Sequence, residues 1–293
     1  MSFSIVTDSC ANLPDAMLQQ HGITTIPLSY FINGTEHFCT SVDTFGCKDY
    51  YDSIRAGMSV TTSQTNPQRY MECFRPILEQ GSDVLFIGLS GGVSGSYASS
   101  EMAASQLRTQ FPTRKIRTVD SLCASLGIGL LVLWAAGCRK KGLDLDQTAD
   151  FLLEHRMRMY QVFTVNDLKH LHRSGRISGV AAMAGAVLNI KPLLLGNEEG
   201  KIINFAKVRG RKKVIEALAE KYNTLAMHPE RQIVGITHTD CEEDAKYLAQ
   251  LISAENPPKK ILILPHEPFT GAHLGPDSLA LYFAGDKDVR TKY

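Results

Sequence analysis

Apolar and polar positions divide this chain into a first half of alternating short strands and helices and a second half of more mixed pattern. β-rich apolar runs at 3–7, 24–28, 84–89 and 116–119 predict strands. Between and after them, 15–21, 67–79, 99–111 and 125–138 carry apolar residues at helical spacing. Strand and helix in alternation predict parallel strands joined by crossover helices, a layered α/β domain. Residues 146–159 predict a connecting helix, capped by Asp146, with Phe151, Leu152, His155 and Met159 on one side. Beyond it the pattern predicts strands at 162–165, 202–208, 233–237 and 260–264 and helices at 178–188, 211–222 and 242–254. The expected organisation is two domains, 1–159 and 160–293, the second a mixed α/β unit.

Three predicted strands end in polar turns: Thr7-Asp8-Ser9, Ser90-Gly91-Gly92 and Asp120-Ser121. Open parallel sheets bind ligands beyond the carboxyl ends of their strands, so these turns mark the first candidate site. The run from Val84 to Tyr97 passes from strand through a Gly/Ser loop into a helix. Glycines let the backbone approach an oxyanion, and the helix start adds partial positive charge, which makes Ser90, Gly92 and Ser94 candidate anion ligands. The same loop spells Gly-x-Ser-x-Gly at Gly88 to Gly92, the elbow of a serine hydrolase with Ser90 as nucleophile, which would also need an acid and a His later in the chain. Thr61, Thr62, Ser63, Gln64, Thr65 and Asn66 precede Pro67, and a helix start uses only one of them as a cap. The surplus hydroxyls suit a carboxylate. His273 lies in a Gly-bracketed segment, where it suits a hydrogen bond to a carboxylate or acid–base work. Five positive charges between Lys207 and Lys213 sit where a strand meets a helix start, a placement the helix dipole opposes unless an anion or acidic partner offsets it.

Composition narrows the function classes. With 31 Lys+Arg against 30 Asp+Glu, the formal net charge of +1 gives no global field for nucleic acid or an anionic membrane. The 44% hydrophobic content is that of a globular protein rather than a disordered one. Seven cysteines without a C-x-x-C pair predict reduced thiols and a cytoplasmic location, and the N-terminus does not read as a signal peptide. The longest apolar stretch, 126–138, is shorter than the ~20 residues a membrane span needs. His37 with Cys39, and His170 with His172, lack zinc-site spacing and companions, so no metal and no cofactor are expected.

Read together, Thr7-Asp8-Ser9, Ile26-Pro27-Leu28, Thr61-Thr62-Ser63-Gln64, Ser94-Gly95-Ser96-Tyr97 and Asp120-Ser121 resemble the DegV family. The resemblance continues nearly end to end through Asp167-Leu168, Ser174-Gly175-Arg176-Ile177, Lys191-Pro192, Gly200-Lys201-Ile202, Lys207-Val208-Arg209 and His273-Leu274-Gly275. It implies a two-domain fold: a three-layer α/β/α domain with a parallel sheet, then a mixed-sheet α/β domain. It also implies a bacterial, non-catalytic lipid-binding protein that buries a long-chain fatty acid in a tunnel between the domains. A partner fatty acid kinase then phosphorylates the bound carboxylate to an acyl phosphate for phospholipid synthesis, with transient membrane contact for lipid exchange. Carried onto this chain, the family's head-group positions are Thr61, Thr62, Ser94 and His273, while Arg176 and Arg209 match basic positions facing the phosphoryl group or the kinase.

Two positions depart from the family pattern. Ser90-Gly91-Gly92 stands where many relatives carry Ser-Ser-Gly, and Asp277 where they more often carry glycine. A carboxylate near a bound acid repels it, so Asp277 is expected to point away. The apolar segments 178–188 and 126–134 are the candidate tunnel walls. Burying about 14 methylenes at about 0.8 kcal/mol each supplies on the order of 10 kcal/mol, against about 1.5–3 for a hydrogen bond to a charged group. The tail would supply affinity and the polar loops orientation. A subunit of a dihydroxyacetone-kinase-like system is a further reading, by fold analogy alone.

Overall fold

The computed structural model describes residues 3–39, 41–177, 189–286 and 289–291. The first part of the chain forms strands β1 (Phe3–Asp8), β2 (Ile23–Ile26), β3 (Leu28–Ile32), β4 (Thr35–Cys39), β5 (Val60–Thr62), β6 (Asp83–Gly88) and β7 (Ile116–Asp120). Its helices are α1 (Asp15–Gln20), α2 (Cys47–Arg55), α3 (Pro67–Glu79), α4 (Ser96–Gln110), α5 (Leu126–Lys140) and α6 (Leu145–His155). The second part forms β8 (Met159–Thr164), β9 (Ile190–Gly196), β10 (Ile202–Arg209), β11 (Ile233–His238), β12 (Lys260–Pro265) and β13 (Leu279–Ala284). Its helices are α7 (Lys169–Arg173), α8 (Arg211–Leu225), α9 (Glu242–Glu255) and α10 (Pro268–Leu274).

Three sheets result. Strands β2-β1-β6-β7 form a parallel sheet, β10-β9-β8-β13-β11-β12 a mixed one, and β4-β3-β5 a small antiparallel one. Strand periodicity explains the layering, because successive side chains leave opposite faces. In β6, Val84 and Phe86 pack outward with Tyr70 and Phe74 of α3, whereas Leu85 and Ile87 pack inward with α5. In β13, Leu279, Leu281 and Phe283 meet α8 and α9, whereas Ala280 and Tyr282 face the same inner core as α5. Helix α5 thus lies between the two large sheets. Gly129 permits this, since a Cβ there would collide with the Ala11 carbonyl oxygen and press on the Leu13 side chain.

The expected strand 24–28 is two strands of different sheets. Pro27 has no N–H to give the ladder, and the Leu28 N–H turns to Ser9 Oγ at 3.0 Å. The connecting helix also differs from its expected form. Asp144, not Asp146, caps it, in a reciprocal capping box with Gln147, and the helix ends at His155 so that Met159 can open β8. Asp146 instead pairs with Arg117 at 2.8 Å and Lys115 at 2.5 Å. Strands β9 and β13 were not expected. β13 is central to the mixed sheet, and five of its six residues are buried, so it shows no alternation to read. The expected helix 178–188 lies outside the described residues. Among the described residues, no helix is long and apolar enough to cross a membrane.

Candidate functional site

The three polar strand ends meet on one edge of the parallel sheet. Asp8 at the end of β1 accepts hydrogen bonds from the Leu89 N–H at 2.8 Å and the Tyr70 hydroxyl at 3.1 Å. Burial still raises its carboxyl to about 6, since those two bonds offset only part of the lost hydration. The Gly91 N–H donates to Asp120 Oδ2 at 3.1 Å and the Ser121 N–H to the Gly88 carbonyl at 3.2 Å, which ties the ends of β6 and β7 together.

The Ser/Gly loop after β6 faces the second half of the chain. Ser90 Oγ donates to the Gly200 carbonyl at 2.9 Å and accepts from the Gly92 N–H at 3.1 Å. Gly92 lies against the 199–200 backbone, where a Cβ would stand 2.5 Å from the Glu199 carbonyl oxygen. Ser90 is only 1% exposed and makes no bond to an imidazole among the described residues, so nothing here activates it as a hydrolase nucleophile. Its hydroxyl joins the two halves.

The Thr/Ser segment and the start of α4 pack together: the Thr65 N–H donates to Ser96 Oγ at 3.1 Å and Gln64 Nε2 to Ser99 Oγ at 2.8 Å. Thr62 Oγ1 lies 2.9 Å from His273 Nε2, across 211 residues of sequence. His273 is in the last turn of α10 rather than in a loop. Glu267 caps that helix, accepting from the Phe269 N–H at 2.6 Å and the Thr270 N–H at 3.0 Å, with Pro268 in the first turn. Burial, then the charges of Arg176 and Arg173, pull the His273 imidazole down to about 4, so it is neutral at pH 7.

Ser90, Ser94, Arg176 and His273 line one cavity, whose remaining wall is mainly apolar and includes Leu89, Phe163, Leu171, Ile202, Phe269 and Leu274. The cavity offers about 70 Å³ to the centre of a water molecule and about 740 Å³ of space between atoms when its open mouth is counted. Thr62 reaches it through His273. Thr61 does not: it is exposed on β5, opposite Phe31. Gly92 faces the 199–200 turn, and Arg209 is exposed at the end of β10, opposite Ile190. Arg176 is anchored by the Val93 carbonyl at 3.2 Å and by the Ser174 carbonyl.

Segment 126–134 is core helix rather than cavity wall, and the lining on that side is Cys123 and Ala124, just ahead of α5. Asp277 does point away: Arg55 holds its carboxylate at 2.7 Å and that of Asp240 at 2.5 Å. In the basic segment, Arg211 finds its acidic partner within the chain, Asp244 at 2.7 Å, in the first turn of α9. Sequence reasoning missed Phe163, Gln161, His266, Phe269 and Tyr282 on the wall. Glu267-Pro268, a cap followed by a first-turn proline, was a readable start for the helix that carries three of the lining residues nearest His273. Among the described residues, no group of three or more His, Cys, Asp or Glu side chains is placed to hold a metal ion.

Burial raises the Glu267 carboxyl from 4.5 to about 7, against its hydrogen bonds to Thr270 and Phe269. The folded protein therefore keeps a proton that the unfolded chain releases. This stabilisation is full below pH 4.5 and is lost as pH rises to about 7. Relative to Glu267→Gln, the wild type should lose on the order of 2–3 kcal/mol of unfolding free energy across that window, read from denaturant titrations at several pH values. A difference independent of pH would contradict the assignment.

Comparison with known proteins matches this chain over nearly its whole length. The pattern of the DegV family covers residues 2–286. A DegV domain-containing protein of Clostridium perfringens is 38% identical over 284 residues, spanning 97% of this chain and 98% of the relative. A DegV family protein from Thermus thermophilus, its structure reported for fatty acid binding, matches with a TM-score of 0.87 at 29% identity, covering 98% of this chain and 100% of that one. A DegV family protein from Ruminococcus gnavus, refined with vaccenic acid, matches with a TM-score of 0.87 at 25% identity, covering 96% and 99%. A parallel sheet and a mixed sheet joined through one shared helical layer, with matches over nearly the whole length, leave one assignment: this chain belongs to the DegV family.

Proposed function

We propose that this protein binds a long-chain fatty acid in the cavity between its two sheets and presents the carboxylate to a fatty acid kinase, which forms the acyl phosphate. The observation that carries the reading is the meeting of Thr62, Ser94 and His273, from three distant parts of the chain, at a mainly apolar cavity. Support for the ligand class comes from the Thermus thermophilus and Ruminococcus gnavus proteins, described with fatty acid binding and with vaccenic acid.

In this reading the domains divide at residues 159 and 160, and the tail lies among Leu89, Phe163, Phe269 and Leu274. The carboxylate meets Ser94 Oγ and the neutral imidazole of His273, whose orientation Thr62 sets. Helix α4, 15 residues long, begins just beyond Ser94 and adds the partial positive charge of its N-terminus. Arg176 supplies full positive charge at the same wall and, with Arg209 outside it, faces the phosphoryl group or the kinase. The protein itself is non-catalytic, works in the cytoplasm and touches membranes transiently to exchange lipid.

Methylene burial dominates affinity and the polar groups set orientation, so Thr62→Ala and His273→Ala should separate the two. Acid affinity should fall by no more than about threefold, while kinase-dependent acyl phosphate formation falls by about tenfold or more. Equal losses in both assays would contradict this division.

A further inference from the structure

Most polar side chains on the cavity wall are engaged by the protein itself. Ser90 is bound to Gly200, Gln161 donates to the Leu122 carbonyl and accepts from the Ala124 N–H, and the Tyr282 hydroxyl lies 3.3 Å from Thr237 Oγ1. Arg176 holds two carbonyls and His273 faces Thr62. His266 and Thr270 differ. Both line the same cavity, yet Thr270 Oγ1 and His266 Nε2, the latter on a residue 1% exposed, are buried with no hydrogen-bond partner among the described residues. A buried donor or acceptor left unmade is costly, so an unpartnered ring nitrogen on a residue of the cavity wall points to a partner supplied by the ligand.

The backbone fixes where that nitrogen stands. The His266 N–H donates to the His238 carbonyl at 2.8 Å and its own carbonyl accepts from the Tyr51 hydroxyl at 2.9 Å. Phe269, Thr270, His273 and Leu274 all line the cavity, so one face of α10 runs along it, and His266 lies two residues ahead of the helix. Seven residues, most of them helical at about 1.5 Å each, separate the two histidines by on the order of 10 Å. Burial and the neighbouring His238 lower the His266 imidazole to about 3. The ring is therefore neutral, with one nitrogen a donor and the other an acceptor.

We propose that His266 forms a second polar subsite for an oxygen substituent on the acyl tail, a hydroxyl above all, roughly 10 Å from the carboxylate. This rests on the fatty-acid reading and narrows its substrate class. A hydroxyl either donates to or accepts from a neutral imidazole, so it satisfies Nε2 in either tautomer. In a wall of Phe163, Phe269 and Leu274 alone, the same hydroxyl would lose its water and gain nothing.

The test is competition binding on delipidated protein, with octadecanoic acid against a positional series of monohydroxy octadecanoic acids. The wild type should bind a mid-chain isomer within about threefold of the unsubstituted acid or more tightly, and reject isomers hydroxylated near the methyl end by about tenfold or more. His266→Phe should weaken binding of the mid-chain isomer about tenfold more than it changes binding of octadecanoic acid. Should that variant fail to fold, the wild-type positional profile decides alone. Rejection of every hydroxylated isomer, or a His266→Phe loss equal for both acids, overturns the subsite and leaves fatty acid binding intact. Failure of the wild type to bind octadecanoic acid removes both readings.

Discussion

Arg290→Met should destabilise the fold by on the order of 3–5 kcal/mol, among the largest single effects available in this protein. Arg290 is wholly buried, with Nε donating to the Gly196 carbonyl at 2.9 Å and Nη2 to the carbonyls of Leu122 and Asn197 at 2.6 Å each. One guanidinium so joins the turn after β7 to the turn after β9. Methionine fills a similar slender volume but donates nothing. The Leu122 carbonyl keeps its bond from Gln161 Nε2 and the Asn197 carbonyl its bond from the Gly200 N–H, whereas all three carbonyls lose the guanidinium. Arg290→Lys keeps the charge on a point donor that cannot span the same fork of acceptors, and should fall between the two. Denaturant midpoints read the difference, and a methionine variant as stable as the wild type would show that the clasp contributes nothing.

The second large effect is expected at Gly92→Ala. The new Cβ would stand 2.5 Å from the Glu199 carbonyl oxygen and 2.7 Å from the Gly200 carbonyl carbon. Both are backbone atoms, so the clash is relieved only by moving the loop or the turn. Overpacking of this kind costs about 1–3 kcal/mol. Moving the loop also lengthens the bond from Ser90 to Gly200 and shifts Ser94 on the cavity wall. Gly91→Ala is the control, because its Cβ would meet chiefly the Asp120 carboxylate, a side chain able to turn aside. Thermal melts should separate the variants clearly, and fatty acid affinity should fall for Gly92→Ala alone. Equal behaviour of the two would mean that the loop is not pinned where the structure puts it.

Much of this architecture was legible in the chain because its parallel strands are short apolar runs bounded by polar turns. β1, β6 and β7 fall within one residue of the positions expected at each end, and α3 matches its expected span from Pro67 to Glu79. β13 was hidden for the opposite reason. Buried on both faces, it carries Leu-Ala-Leu-Tyr-Phe-Ala with no alternation, and only the pairing with β8 and β11 identifies it as a strand. The site divides along the same line. Ser94, Arg176 and His273 were found from motif and resemblance, and the structure brings them to one cavity. Thr61 lies next to Thr62 in sequence, yet strand periodicity sends neighbours to opposite faces, so Thr61 is exposed while Thr62 meets His273. His266 left no local signal. It follows the last residue of β12, and what makes it notable is an unmade hydrogen bond, which belongs to the folded arrangement alone.

In the proposed function the cavity shared by the two halves holds one acyl chain. Native mass spectrometry of the protein as purified from bacteria, followed by denaturing extraction, tests it most directly. The expected result is an added mass equal to one long-chain fatty acid per protein, recovered as the free acid on denaturation. A bare protein mass that gains nothing on incubation with a panel of fatty acids would contradict it.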